Sequence, residues 1–216
     1  LTRDGDNSRW ALSGSNTYTG ATTLAAGGSS ADSGLLIFQG IQALSSSTSL
    51  NIAQGGSNQR WGTIRILDDS ATPASRSGVN LNFSNTEGVG TGDLRHWMRV
   101  FVGNNNTANL GTSASTQTGS TIQLGNLNLS EGATASTGGG LWVSGANGYK
   151  LQIADVNVTL QGATTGNHQA TLRADAPMTV TGTVRQANDA GAGSNTTLLL
   201  EGAAAGSLIS GNILNS

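Results

Sequence analysis

Short bursts of alternating apolar and polar residues recur along almost the whole chain, and this pattern constrains the fold more than any other feature. Each burst is rich in aliphatic or β-branched side chains and is bounded by Gly, Asn, Ser or Asp, which is typical of β-strands. No window long enough for a helix carries a helical stripe. The sequence therefore predicts an all-β protein, whose clearest strands begin at Leu35, Thr63, Val79, Met98, Thr121, Leu127, Leu141, Leu151, Val156, Ala170, Met178 and Thr197.

Two all-β architectures compete for this pattern. A sandwich or barrel would need hairpin turns and an aromatic-rich core, but aromatic residues make up 4% of the chain and Asn-Gly occurs once, at Asn147-Gly148. The even recurrence of strands favours a single-stranded parallel β-helix, or β-solenoid. At about 25 residues per coil, the chain would form roughly nine coils and a rod about 40 Å long. The polar stretches 68–77 and 104–118 are expected to leave the rod as loop insertions.

Composition excludes several classes of function. Charged residues make up 10% of the chain and the net charge is -2, so no basic footprint for nucleic acid is present. No apolar run approaches the ~18 residues of a membrane helix, so we expect no membrane insertion. The chain has no cysteine, and its histidines, His96 and His168, lack a neighbouring serine or metal-type ligand. We expect no cofactor and no enzymatic activity, because an enzyme of this composition would have to use carboxylates alone.

Asparagines recur beside the predicted strands. Their amides can form ladders between equivalent positions of successive coils. They can equally form the solvated face of each strand, and the sequence leaves both interpretations open. The residues concerned are Asn80, Asn82, Asn126, Asn128 and Asn157.

The segment from Trp10 to Gly27 reads WALSGSNTYTGATTLAAG and is the most informative in the chain. It closely resembles the autotransporter-associated β-strand repeat, also called the passenger-associated transport repeat. The resemblance implies a secreted or surface-exposed bacterial protein with a right-handed parallel β-helix, and it implies no catalytic residue. In such a coil we expect Trp10 and Leu12 to face the core, Asn16 to form an Asx-type turn and Gly20 to adopt a positive φ.

The two ends of the chain resemble consecutive pieces of such a protein. The segment 1–10 resembles the lead-in to the repeat, and the segment 208–216 resembles the strand that comes before that lead-in. Neither end offers a capping helix or a charged strand. We expect one solenoid domain over 1–216, either a processed chain that stacks head-to-tail or one repeat unit of a longer fibre. The expected contact residues are Leu1, Thr2, Trp10, Leu208, Ile209, Ile213 and Leu214.

Binding sites have weaker sequence signals. Asp4 and Asp6 are closely spaced, but the full calcium-loop pattern is absent, so a turn is favoured over a calcium site. Asp68-Asp69 is expected to be a solvated loop.

Arginine and tryptophan residues supply the remaining candidates. Arg95, Trp97 and Arg99 could contact a glycan or a neighbouring fibre, although packing of Trp97 under a loop is the favoured alternative. Trp61 and Trp142 could be binding platforms or core residues.

These observations favour a non-enzymatic structural subunit of an extracellular bacterial fibre or surface stalk. Its expected partners are identical copies or the adjacent repeats of a longer chain. The alternative is an adhesin or passenger segment that binds a surface glycan or a host surface, and a polysaccharide-active enzyme comes third. In each case the expected location is secreted, extracellular or on the cell surface.

Overall fold

The computed structural model describes residues 2–3, 9–26, 34–45, 49–54, 61–72, 74–85, 97–105, 116–131, 140–160, 166–188, 194–202 and 204–215. These residues form a β-solenoid of three sheets in which every described strand pairing is parallel. We call one passage of the chain through sheets A, B and C a coil. None of the described residues form a helix that is long and apolar enough to cross a membrane.

The described part of the chain contains twenty strands, which are distributed over the three sheets. Sheet A consists of β1 (Thr2–Arg3), β3 (Thr22–Ala26), β5 (Ser49–Gln54), β8 (Asn80–Asn85), β11 (Leu127–Glu131), β14 (Val156–Leu160), β17 (Val184–Asn188) and β20 (Ile213–Asn215). Sheet B consists of β2 (Arg9–Ser13), β4 (Leu35–Gln39), β6 (Trp61–Leu67), β9 (Trp97–Gly103), β12 (Gly140–Gly145), β15 (Gly166–Ala174) and β18 (Ser194–Glu201). Sheet C consists of β7 (Ala74–Arg76), β10 (Thr121–Leu124), β13 (Lys150–Ile153), β16 (Met178–Val180) and β19 (Leu208–Ile209).

The predicted β-solenoid is confirmed, but the predicted coil length is too short. Five coils contribute a strand to all three sheets, and sheet A stacks eight strands, against about nine coils expected. Residues stacked in sheet A are 31, 46 and 29 positions apart in the chain. In the second coil the short 3₁₀ helix Ile41–Ala43 packs beside β7. The stretch 68–77 is not wholly a loop, because it contains β7, which pairs with β10.

Alternate residues of each strand fill one continuous core. In sheet A, Leu24, Ile52, Phe83 and Leu129 stack in register, and each is at most 1% exposed. The intervening side chains point outward, as the period-two pattern predicts. A second, smaller apolar cluster lies on the outer face of sheet B and joins Ile37 and Leu67 with Leu35 and Phe101.

The segment that resembles the transport repeat forms part of the first two coils. Trp10 and Leu12 pair in register with the buried Leu36 and Phe38, so both occupy core positions as expected. In the described structure the Oδ1 of Asn16 accepts no hydrogen bond of an Asx-type turn; the side chain instead contacts the neighbouring coil, where its Nδ2 donates to the carbonyl oxygen of Ala43 at 2.7 Å.

The prediction of a positive φ at Gly20 is wrong, and the positive φ occurs at Gly14 instead. Gly14 has a φ of 76° at the end of β2, whereas Gly20 is not among the described glycines with positive φ. The turn therefore follows the strand directly, where a glycine avoids the steric cost of the left-handed region.

Outward asparagines of sheet A form a hydrogen-bonded ladder. Asn82 Nδ2 donates to Asn51 Oδ1 at 2.9 Å, and Asn128 Nδ2 donates to Asn82 Oδ1 at 2.7 Å. Asn157 Nδ2 continues the ladder to Asn128 Oδ1 at 2.9 Å. These residues are partly exposed, so the two interpretations left open by the sequence hold together: the amides are on the solvent side and they form a ladder.

A second polar row holds the corner between sheets C and A. The side-chain oxygen of Asn80 accepts from the backbone N of Asn126 at 2.8 Å, and that of Asn126 accepts from the N of Asp155 at 3.3 Å. Asp155 Oδ1 accepts from the N of Thr183 at 2.7 Å. Each coil thus supplies an acceptor for a backbone donor that no strand satisfies at the corner.

Asn128→Ala removes one of the two inner residues of the asparagine ladder in sheet A. The variant should lower the free energy of unfolding by about 1–2 kcal/mol, because it loses two partly buried side-chain hydrogen bonds. Urea unfolding followed by circular dichroism measures the effect. Gln152→Ala is the matched control, since Gln152 has a similar outward position in sheet C and no side-chain hydrogen bond in the described structure; it should cost less than about 0.5 kcal/mol. Equal losses in both variants would contradict a stabilising ladder.

Candidate functional site

Two arginines and a tryptophan stack on the outer face of sheet B. Parallel register places Arg99, Trp142 and Arg173 at the same outward position of three consecutive coils. The guanidinium carbon of Arg99 lies 4.5 Å from the centre of the Trp142 ring system, and that of Arg173 lies 4.7 Å from it. Because β9 and β15 flank β12, the two guanidinium groups cover opposite faces of the indole. We call these three residues the arginine–tryptophan stack.

Neighbouring polar groups fix the orientation of the stack. Trp142 Nε1 donates to Asp175 Oδ2 at 2.8 Å, and Arg173 Nη2 forms an ion pair with the same oxygen at 3.0 Å. Arg99 Nε donates to Ser144 Oγ at 3.2 Å. The hydrogen bond from Arg173, followed by that from Trp142, holds the pKa of Asp175 below its usual range. The carboxylate therefore stays ionised and keeps both partners in place at neutral pH.

Trp97 completes this cluster from the side. Its ring meets Trp142 edge-on, with centroids 6.3 Å apart and planes at 68°, and Trp97 is 6% exposed. Of the three residues proposed from sequence for a glycan or lateral contact, the structure brings together Trp97 and Arg99. Arg95 lies outside the described residues. Trp97 is buried with Trp142 as its described neighbour, and Trp142 is also the aromatic residue that Arg99 contacts.

The chemistry that this cluster supports is cohesion between coils. A sugar ring binds an aromatic side chain by lying against its face, but both faces of Trp142 are occupied by guanidinium groups. Cation–π contacts are worth about 0.5–1 kcal/mol each at exposed sites. The arginine–tryptophan stack therefore links three consecutive coils on their outer side, as the apolar core links them on the inside.

Trp142→Ala should be strongly destabilising for a partly exposed position. The variant loses two cation–π contacts, the edge contact with Trp97 and the hydrogen bond to Asp175, which together predict a loss of about 2–4 kcal/mol. Trp142→Phe is the matched control, since it keeps a ring between the two arginines and loses the N–H donor, and it should cost about 1 kcal/mol. Guanidinium chloride unfolding measures both, and a cost below 0.5 kcal/mol for the alanine variant would contradict a cohesive role.

Apolar side chains are exposed at the last described coil. Ile213 is 62% exposed and Leu200 is 53% exposed, although their register partners Val184 and Leu172 are 1% exposed. These residues border a cleft of about 300 Å³ at this end of the core. Its lining consists of Leu172, Ala174, Met178, Leu200, Glu201, Ser207, Leu208, Ile209 and Ile213.

The structure divides the predicted contact residues of this coil into two groups. Ile209 and Ile213 follow the inward positions of Val180 and Val184, so they belong to the core columns. Leu208 and Leu214 follow the outward positions of Thr179 and Arg185. At the opposite end, Trp10 is 54% exposed at a core position. Leu1 lies outside the described residues, and Thr2 is described for its backbone in β1.

The described residues include few of the candidates for metal binding or acid–base chemistry. Asp4 and Asp6, the weak calcium candidates, lie outside them. Where the chain is described, no three His, Cys, Asp or Glu side chains gather into a metal-binding group. Burial raises the pKa of Asp68, which is 3% exposed, and burial likewise raises the pKa of Tyr149, which donates to the backbone oxygen of Asp68.

Sequence reasoning missed several residues that matter in this structure. Asn51 begins the ladder, and Arg173 and Asp175 complete the cluster around Trp142. Asn51 lacks the N-x-S/T spacing that Asn82, Asn128 and Asn157 share, and no local signal links Trp142 to Asp175.

Comparison of the chain with protein-family models, curated proteins and solved structures finds no match. The resemblance to the transport repeat therefore rests on the residues between Trp10 and Gly27.

Proposed function

We propose that the chain is a non-enzymatic structural unit of an extracellular bacterial fibre or surface stalk, whose end coils stack on further coils of the same kind. The β-solenoid supplies a stiff rod, because consecutive described coils are joined by parallel backbone hydrogen bonds in sheets A and B, and five of them are also joined in sheet C. The resemblance of the segment 10–27 to the transport repeat supports the secreted or surface location.

The observation that carries the proposal is the exposed core of the last described coil. Ile213, at 62% exposed, occupies a column whose members at Leu81, Leu127 and Val156 are at most 1% exposed. Aliphatic side chains at this position are buried in the coils that have a further coil on both sides. Apolar surface of this kind contributes about 25 cal/mol for each Å² removed from water.

The unpaired edges of the last strands also support stacking on a further coil. Sheets A, B and C end in β20, β18 and β19, and each of these pairs with a described strand on one side. An edge strand presents unpaired backbone donors and acceptors, which a parallel strand of another coil can satisfy. The matching coil would come from a second copy of the chain or from the adjacent repeat of a longer chain. Such a head-to-tail contact is heterologous and open, so it extends into a rod.

The alternative function, an adhesin that binds glycan, gains no support from Trp142. Its faces are covered by Arg99 and Arg173, so a neutral sugar has no open ring to lie against at this position. Mechanical cohesion explains the same cluster without a ligand.

Sedimentation velocity and negative-stain imaging of the purified chain test the proposal. We expect the average mass to rise with concentration and the images to show unbranched rods. A tandem chain that carries two copies of the sequence tests the adjacent-repeat form, and it should unfold at a higher temperature than one copy. A monomer at every concentration, together with a tandem chain no more stable than one copy, would overturn the proposal.

A further inference from the structure

Asp68 is a buried carboxylate with one oxygen that has no partner. It follows β6, where the chain turns from sheet B toward sheet C, and it is 3% exposed. Its Oδ1 accepts from the backbone N of Ser70 at 3.2 Å, whereas its Oδ2 is buried without a hydrogen-bond donor in the described structure. The solvated loop expected from sequence is therefore wrong for Asp68.

Among the described residues, no basic side chain forms an ion pair with this carboxylate. Arg76 is the basic residue whose field reaches Asp68, but its Nε donates to the carbonyl oxygen of Leu44 at 2.9 Å and its Nη1 to that of Ser75 at 3.1 Å. Asp69 adds a second negative charge immediately beside it. Burying a carboxylate without a paired positive group is costly, so this corner favours a cation.

The adjoining corner of the next coil supplies a second oxygen without a donor. Asp68 N donates to the carbonyl oxygen of Gly103 at 2.9 Å, which places the chain after β6 beside the chain after β9. There Asn105 donates its backbone N and its Nδ2 to Asp69, at 3.0 Å and 2.6 Å, while Asn105 Oδ1 is buried and has no hydrogen-bond partner among the described residues. Two acceptor oxygens without donors thus lie at the same corner of two consecutive coils.

We propose that this corner binds a divalent cation of the calcium class, with Asp68 Oδ2 and Asn105 Oδ1 as ligands. Asp69 contributes negative charge and orients Asn105 through its two hydrogen bonds. The two ligand oxygens belong to a carboxylate and an amide beyond the strand ends, and such mixed oxygen ligands suit Ca²⁺, whereas Mg²⁺ demands near-ideal octahedral geometry and retains its waters. The bound ion joins the coils of β6 and β9 from outside the core.

Calorimetric titration and thermal unfolding of the full chain, after treatment with a chelator, test the site. Ca²⁺ in large excess over its dissociation constant should raise the melting temperature by about 5 °C or more, and Mg²⁺ should raise it less. Asp68→Asn should abolish both the heat of binding and the temperature shift. Asp175→Asn is the control because it removes an acid from another part of the solenoid; it should begin at a lower melting temperature, since it loses the ion pair with Arg173, but it should keep the full heat of binding and the full Ca²⁺-induced shift.

Three outcomes would overturn the assignment. The first is no heat and no temperature shift with Ca²⁺ in the unmodified chain, which needs no variant and indicates that Asp68 holds a proton or a water instead. The second is a response that survives both in Asp68→Asn and in Asp4→Asn with Asp6→Asn. The third is a response lost in Asp4→Asn with Asp6→Asn but retained in Asp68→Asn, which would place the ion at the N-terminal segment. None of these results bears on the stacking of coils.

Discussion

Gly140→Ala is expected to lower the free energy of unfolding by more than about 4 kcal/mol, and the melting temperature by about 10 °C or more. Gly140 begins β12, where it pairs with Thr171 of β15. A Cβ at this position would overlap the carbonyl oxygen of Thr171 and lie 2.7 Å from its carbonyl carbon and 2.9 Å from its N. Because all three atoms are backbone, no rotation of a side chain relieves the overlap.

The loss of stability should involve more of the structure than the position of Gly140. To accept the methyl group, β12 and β15 must separate, which breaks hydrogen bonds on both sides of the site. The same two strands carry Trp142 and Arg173, so the arginine–tryptophan stack would also be displaced. Circular dichroism melting measures the change in stability, and the near-ultraviolet signal of the tryptophans reports on the stack.

Gly20→Ala provides the matched control. A Cβ at Gly20 meets no atom within 4 Å, and its φ lies outside the range that L-residues avoid. This variant should change the free energy of unfolding by less than about 0.5 kcal/mol. If Gly140→Ala were as stable as Gly20→Ala, the close approach of β12 to β15 would be incorrect.

Ile213→Asp is expected to weaken self-association by about a hundredfold or more, which corresponds to about 2.7 kcal/mol. Ile213 occupies a core column at the exposed end, so stacking of a further coil would bury the new carboxylate without a partner. The side chain is 62% exposed in the single chain, so the variant should fold normally. Sedimentation velocity over a range of concentrations measures the association constant.

Leu214→Asp is the matched control because Leu214 neighbours Ile213 in β20 and points to the opposite side. It follows the outward position of Arg185 and is 46% exposed. Stacking along the axis leaves this position at the surface, so association should fall less than about fivefold, which is about 1 kcal/mol. Equal loss in both variants would indicate a contact on the outer face of sheet A in place of axial stacking.

Strand positions could be predicted from the sequence because burial alternates locally in every burst. Leu127-Asn128-Leu129 carries the whole signal in three residues, with leucines in the core and asparagine outside. The strand β7 was missed because Ala74-Ser75-Arg76 contains no aliphatic alternation, and Arg76 occupies an inward position by pairing with Leu124. Its guanidinium group instead donates to a backbone carbonyl.

The arginine–tryptophan stack could not be predicted because it depends on coil length. Trp142 and Asp175 are 33 residues apart, while Arg99 and Ser144 are 45 apart. A slip of one residue in strand register would turn a side chain from the outer to the inner face, so the stack requires the register that the whole fold sets. The separations differ because the inserted segments differ in length, and a sequence gives no rule for the number of residues that leave the rod.

The asparagine ladder gives the rod a direction. Each described amide donates from its Nδ2 toward the coil nearer the N-terminus, so one end of the row finishes in the amide nitrogen of Asn51 and the other in the carbonyl oxygen of Asn157. This direction agrees with that of the parallel strands, so every described coil has the same sense along the rod. A rod formed by copies that join head-to-tail would therefore be polar along its whole length. Its two tips would present different surfaces and would elongate at different rates.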